Sequence, residues 1–202
     1  AYSCAFNFLV PMAVGAHVYL LGKVPSPKIL LKAFEEVKPN LILTVPLILE
    51  KIYKKMILPQ LSKTTMKVAL NIPLLDSRIY AQIRKKLVDA FGGRFREVIV
   101  GGAAMNEEVT NFLYKIKFPF TIGYGMTECG PLISYDHNVE YVPGSCGQIL
   151  KGIMKVRIDS EDPYNKVGEI QVSGENVMKG YYKNEEATSK VFTEDGWFRT
   201  GD

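Results

Sequence analysis

Residues 95–128 read FREVIVGGAAMNEEVTNFLYKIKFPFTIGYGMTE. Phe95 to Val100 is a short, largely apolar run of the kind that forms a buried strand, and it stops abruptly at Gly101-Gly102. Asn106 reads as a helix N-cap, with Val109, Phe112, Leu113 and Ile116 on one face of the helix behind it. Phe120 to Gly123 is the next strand. Strand, helix and strand in this order imply parallel strands joined by a crossover. Both strands end in glycine turns, so both turns should open on one edge of the sheet.

The same alternation extends upstream. Ser26-Pro27 starts a helix with an apolar stripe of Leu30, Phe34 and Val37, which Pro39 ends. Leu41 to Val45 is a short apolar run, read as a strand buried on both faces. Pro46 opens a second helix with Leu49, Ile52 and Met56 facing inward. Residues 58–75 have no clear period, and Pro59 and Pro73 predict a break. Asp76 is read as the cap of a stronger helix carrying Ile79, Ile83, Leu87 and Phe91, closed by Gly92-Gly93. At the beginning, Ala5 to Leu21 is mostly apolar. No basic segment precedes it, Asn7, Pro11 and His17 interrupt it, and it falls short of the roughly 20 clean apolar residues a membrane span needs. A buried helix turning at Gly15 into a strand, His17 to Leu21, is the expectation. A first residue other than Met points to an excised or processed chain.

After about residue 136 the pattern changes. Ile153–Ile158 and Val167–Ser173 read as strands joined through the turn Ser160-Glu161-Asp162-Pro163, with a short helix at Glu185–Val191. The predicted fold class is therefore α/β: a parallel-sheet βαβ subdomain over residues 1–135, then part of a small antiparallel β-barrel subdomain over 136–202.

The 25 basic and 21 acidic residues leave a net charge of only +4, and the basic ones are scattered among acids rather than gathered into a stripe. No nucleic-acid partner is expected. Cys4, Cys129 and Cys146 are odd in number and lack metal-type spacing, which points to a reducing compartment. Cys129 has no histidine close in sequence and is read as packing, not as a nucleophile.

In open parallel sheets, ligands bind beyond the carboxyl ends of the strands. Gly101-Gly102-Ala103 sits at one such end, though alone it reads equally as a tight strand–helix connection. Gly123-Tyr124-Gly125-Met126-Thr127-Glu128 sits at the next. Tyr124 offers a flat face for a base, Thr127 a hydroxyl, and Glu128 a carboxylate for Mg²⁺, which favours one or two carboxylates plus phosphate oxygens. The plainer alternative is a core tyrosine and a solvated glutamate, and this segment alone does not decide between them. A third segment, Gly196-Trp197-Phe198-Arg199-Thr200-Gly201-Asp202, ends in an acid suited to a sugar's paired hydroxyls.

Taken in order, these three segments resemble the adenylate-forming superfamily of acyl-CoA synthetases. Val167-Gly168-Glu169-Ile170 and Asn176-Val177-Met178-Lys179-Gly180-Tyr181-Tyr182 look like that family's barrel motif. Val45-Pro46-Leu47-Ile48-Leu49-Glu50-Lys51-Ile52-Tyr53 is similar to long-chain fatty-acid members. The resemblance implies that Gly101, Gly102 and Ala103 border adenine, Tyr124 and Gly125 lie against it, and Thr127 contacts the α-phosphate. Glu128 would bind Mg²⁺ and Asp202 the ribose. Thr127 and Glu128 become the catalytic candidates, with ATP/AMP, Mg²⁺ and CoA as cofactors and co-substrates and a fatty acid as the other substrate. The implied location is cytoplasmic, with peripheral membrane association an option; oligomeric state is unreadable.

Two departures stand out. The family's usual Gly-x-x-Gly-basic-Pro-x-Pro-Gly loop appears as Gly144-Ser145-Cys146-Gly147-Gln148-Ile149-Leu150-Lys151-Gly152, without the prolines or the basic residue. The family's phosphate loop, and its small C-terminal domain with a catalytic lysine, have no counterpart in these residues. On that basis the chain alone is expected to be inactive. Two alternatives stay open: an adenylation domain for an amino or aryl acid, and a non-catalytic nucleotide-binding module.

Overall fold

Val98 and Val100, both fully buried, lie on the middle strand of a three-stranded parallel sheet. The computed structural model describes residues 1–72 and 75–202, with residue 67 described by its backbone alone. In this sheet β1 is Leu41–Thr44, β2 is Glu97–Val100 and β3 is Phe120–Ile122, side by side in that order. Leu41 pairs with Glu97 and Val98 with Phe120, so the strands finish level. The pairing runs one residue further. The Gly101 N–H donates to the Thr44 carbonyl (3.1 Å) and the Gly123 N–H to the Val100 carbonyl (2.9 Å). Both glycine turns leave the same edge, as the βαβ reading requires.

Strand limits are tighter than the apolar runs, and β1 departs from expectation. As an edge strand it leaves Leu41 47% exposed, whereas β2 is covered on both faces. Helix Pro27–Val37 starts as predicted, with Ser26 Oγ accepting the Ile29 N–H. Helix Pro46–Ile52 runs into a wider π turn, Tyr53–Ile57, and on through Leu58–Leu61. The extra residue in that turn shifts the inward face. Tyr53 and Ile57 are buried, and Met56, expected inside, is 37% exposed. Pro59 sits at the start of the last helical turn, and the break falls just after Leu61. The break expected at Pro73 lies outside the described residues. Asp76 is not a cap: helix Leu75–Ala90 already includes it, and its carboxylate accepts the adjacent Ser77 N–H (2.6 Å). Helix Glu107–Lys115 is capped by Asn106 as read, Oδ1 accepting the Val109 N–H (3.2 Å).

These elements close over one aromatic centre. Phe91 stacks on Phe34 at 5.4 Å and meets Phe118 and Phe95 at 5.5 and 5.9 Å. Complete burial of one such ring contributes about 1.5–3 kcal/mol. Gly92 follows at φ +92°, where a Cβ would come within 2.4 Å of the Phe34 carbonyl oxygen.

The second sheet is antiparallel. It contains β4 (Met154–Asp159), β5 (Glu169–Gly174) and β6 (Phe198–Arg199) in that order. β6 was not anticipated. No closed barrel forms among the described residues: β4 and β6 are the two edges of an open sheet. Val172 and Phe198 pack there with Cys129, Ile133 and Met154 in a second core. The two cores interleave along the chain, since Tyr124 and Met126 pack on the second while Tyr141 belongs to the first. The departing loop 144–152 lies against residues 134–136. Ser134 Oγ donates to the Cys146 carbonyl (2.8 Å), and a Cβ on Gly147 would meet Tyr135 C at 2.4 Å.

The N-terminal expectations do not hold. Tyr2–Cys4, a π turn Ala5–Leu9 and Val10–Ala13 form a helical rod, yet none of its residues is buried. His17 to Leu21 is not a strand, and Tyr19 and Leu20 are 68% and 82% exposed. Residues 17–21 pair with no strand among the described residues, so this apolar segment gains neither ladder hydrogen bonds nor burial. No described helix is long and apolar enough to cross a membrane.

Candidate active site

Tyr124 and Asp202 are 78 residues apart in sequence and meet at the edge where the parallel strands end. The Tyr124 hydroxyl donates to Asp202 Oδ2 at 2.6 Å. Each is set by its own sheet. Tyr124 directly follows the Gly123 turn and exchanges backbone bonds with Ser134, its N–H donating to the Ser134 carbonyl (3.0 Å) and its carbonyl accepting the Ser134 N–H (3.0 Å). Asp202 follows β6, and its carbonyl accepts the Ile170 N–H (3.0 Å). Burial, and then the Asp202 carboxylate, push the Tyr124 phenol up to about 12, so it remains a neutral donor at ordinary pH. Asp202 keeps Oδ1 facing no bonded partner among the described residues.

The Thr127–Cys129 turn places Thr127 at the surface and Glu128 partly covered. A strap from the second sheet holds this turn. The Met178 N–H donates to the Glu128 carbonyl (2.7 Å), and Asn176 Nδ2 donates to the carbonyls of Cys129 (2.6 Å) and Leu132 (2.8 Å). The Tyr181 hydroxyl donates to Glu128 Oε1 at 3.0 Å. Cys129 is fully buried, and burial followed by the neighbouring Glu128 charge raises its thiol to about 11, which keeps it protonated and unreactive.

Gly125 has a packing role in this geometry. A Cβ there would stand 1.9 Å from the Pro131 carbonyl oxygen, so only glycine lets the returning segment cross at this point. At the first turn, Gly101 is buried beneath the Tyr2 ring, while Gly102 (φ +87°) and Ala103 are exposed. A wide groove of about 1530 Å³ joins these places, lined by Gly101, Gly102, Tyr124, Gly125, Thr127 and Glu128 and continuing along the N-terminal rod at Tyr2, Phe6 and Val10. Ala103 and Asp202 stand outside that lining. No cluster of three or more His, Cys, Asp or Glu occurs among the described residues, so any cation here would rest on Glu128 together with oxygens brought by a ligand. That donor set suits Mg²⁺ shared with phosphates.

The fold thus brings Tyr124, Gly125, Thr127, Glu128 and Asp202 to one edge, with Gly101 and Gly102 on the adjoining strand end. Sequence reasoning did not identify the clamp made by Asn176, Met178 and Tyr181. Asn176, Met178 and Tyr181 stand in a run read only as a likeness to the family's barrel motif, and the partners of Asn176 lie more than 40 residues away in sequence. Tyr2, over Gly101, carried no signal at all.

Comparison with known proteins gives a consistent picture. The AMP-binding enzyme family model matches residues 1–182. Long-chain-fatty-acid–CoA ligase 1 of Saccharomyces cerevisiae is 30% identical over 185 residues, covering 83% of this chain and 26% of the yeast protein. 4-Coumarate-CoA ligase 1 of Narcissus pseudonarcissus is 34% identical over 143 residues, covering 64% of this chain and 26% of its own length. The chain therefore spans about a quarter of these relatives. Among solved structures, o-succinylbenzoate coenzyme A synthetase of Bacillus subtilis, in complex with ATP and magnesium ion, superimposes with a TM-score of 0.66 at 22% identity over 96% of this chain and 34% of that protein. That likeness establishes the fold.

Proposed function

Because the chain belongs to the AMP-binding enzyme family, we propose that it forms the adenylate-holding part of an acid–thiol ligase that joins a carboxylic acid to CoA at the expense of ATP. The observation that carries this reading is the Tyr124–Asp202 bond of 2.6 Å, which brings an aromatic face and a carboxylate together beside the Thr127–Glu128 turn. Tyr124 supplies the stacking face for adenine, worth about 1–3 kcal/mol by analogy with base stacking on aromatics. Asp202 uses its remaining oxygen to accept from ribose hydroxyls. Thr127, exposed on its turn, donates to an α-phosphate oxygen, and Gly102 and Ala103 border the base.

Glu128 would hold Mg²⁺, which when bound neutralises charge on the phosphate oxygens. The protein's own contribution is positioning and charge complementarity around the α-phosphorus. There a carboxylate oxygen of the acid forms its bond as the bond to pyrophosphate breaks. The CoA sulfur then attacks the acyl carbon, its thiol proton passes to water, and AMP leaves with the electron pair. Residues 1–135 and 136–202 act in this proposal as the two subdomains that meet at the site. The three free cysteines are consistent with a cytoplasmic protein, and the exposed apolar rod with peripheral contact with a membrane.

For the acid, we favour a long-chain fatty acid, supported by the yeast ligase and by the apolar walls that continue the groove past Phe6 and Val10. The narcissus ligase supports a second reading, a hydroxycinnamate. Calorimetric titration with non-hydrolysable adenylate analogues tests both levels. A hexadecanoyl analogue should bind more tightly than the coumaroyl one, and Tyr124→Ala should weaken both by roughly tenfold or more. Tighter coumaroyl binding would reverse the choice of acid. A folded chain that binds neither analogue would overturn the adenylate site itself.

A further inference from the structure

Glu128 is held at three levels by one segment that follows β5. Its carbonyl accepts from Met178 N–H (2.7 Å), the following carbonyl of Cys129 accepts from Asn176 (2.6 Å), and its carboxylate accepts from Tyr181 (3.0 Å). The first two bonds fix the turn and the third fixes the side chain. Tyr181 is itself braced. Its N–H donates to Thr188 Oγ1 (2.9 Å), and Thr188 Oγ1 donates in turn to the Asn184 carbonyl (2.8 Å) at the cap of helix Glu185–Val191. Gly180 permits this closeness, since a Cβ there would lie 2.8 Å from Thr188 Cγ2.

We propose that Tyr181 is a positioning residue that locks the Glu128 carboxylate for a divalent cation bound with the nucleotide, an inference that rests on the adenylate reading above. The hydroxyl occupies Oε1 and leaves Oε2 without a bonded partner among the described residues, which is the oxygen a shared cation requires. A lone carboxylate on a turn samples several rotamers in water, and each lost torsion must be repaid by the cation contact. A phenol on a braced backbone takes up that cost beforehand, because its ring has only two torsions of its own.

The test is the metal-linked gain in nucleotide affinity, measured by calorimetric titration of the chain with ATP in magnesium and in EDTA, alongside thermal unfolding. Glu128→Gln should abolish the gain. Tyr181→Phe, which removes only the hydroxyl, should reduce the gain roughly three- to tenfold while metal-free affinity and melting temperature stay at the wild-type values. A full gain in Tyr181→Phe, with Glu128→Gln still deficient, overturns the role of Tyr181 and leaves the proposed function standing. A Tyr181→Phe protein that melts earlier and binds metal-free ATP more weakly, with the gain intact, makes Tyr181 a structural brace only and also overturns the inference. Binding of ATP by the wild type with no gain from magnesium removes the cation from Glu128 and the inference with it. No ATP binding by the folded wild type in either buffer overturns this inference and the adenylate reading together.

Discussion

Residues 123–134 and residues 1–25 are both rich in apolar and small side chains, and the protein treats them in opposite ways. The first stretch is crossed by its own return at Gly125, anchored by Asn176 and Met178, and buried at Cys129 and Ile133. The second makes a helical rod and an extended tail, tied to the remainder at Tyr2, whose hydroxyl reaches the Ile99 carbonyl at 3.4 Å and whose ring covers Gly101. Local pattern read the glycine turn of the first and the helix of the second, though not the absence of a strand at His17 to Leu21. Burial followed only where a second segment was present to cover the first, because apolar contact is gained pairwise and not by a segment alone.

Two glycines put that difference on a measurable scale. Gly15 has φ +70° with nothing within 4 Å of a built Cβ, whereas a Cβ on Gly125 would lie 1.9 Å from backbone oxygen. Gly15→Ala should cost only about 1–2 kcal/mol, the strain of a left-handed alanine. Gly125→Ala must move the Pro131 segment or its own, and should cost about 3 kcal/mol in urea unfolding, with loss of adenylate binding. Equal costs at the two positions would show that the N-terminal stretch is packed in solution as tightly as the turn.

The same contrast explains what the sequence made legible. The βαβ order could be read because Val98–Val100, Asn106 and Phe120–Ile122 carry short-range signals that agree with one another. The order of the motif residues at the sheet edge followed from that. The Met56 error came from a π turn, which changes the period inside an apparently regular helix and leaves no mark in composition. The antiparallel second subdomain was read from two strands, and β6 was missed because two residues are too few to show alternation. Tyr181 and Asn176 were out of reach for another reason: a hydroxyl or amide says nothing about a carboxylate or carbonyl more than 40 residues away until the sheets are docked.

A carboxylate beside the turn gives the next test. Glu97, 6% exposed at the start of β2, accepts from the Tyr135 hydroxyl (2.6 Å) and from Asn138 N–H and Nδ2 (3.1 Å each). Burial alone would raise its pKa. The bonds from Tyr135 and Asn138, with His137 3.5 Å away, outweigh burial and hold it below the ordinary carboxylate value. A folded pKa below the unfolded one stabilises the protein above the unfolded value and loses that contribution as pH falls through the folded one. Glu97→Gln should therefore be less stable than the wild type by about 1 kcal/mol at pH 7. The gap should narrow as pH falls below the ordinary glutamate range. A gap that widens on acidification would reverse the sign assigned to this site and detach residues 135–138 from the well-anchored half of the comparison.

The smallest effect is expected at Leu20, and its smallness is the informative part. At 82% exposed, the side chain has almost no burial to lose, so Leu20→Ser should change unfolding free energy by no more than about 0.5 kcal/mol. A buried leucine in the same position would forfeit about 1.5–3 kcal/mol of transfer energy, and more if a cavity remained. One nearby feature that could bury it is the open edge of β1, where Leu41 is 47% exposed; residues 17–21 and 41–44 line the same groove. A loss above about 2 kcal/mol is the result expected if His17 to Leu21 pairs with β1 in solution, as the strand expected there requires. The parallel sheet would then gain a fourth strand, and the exposed tail would cease to differ from the turn.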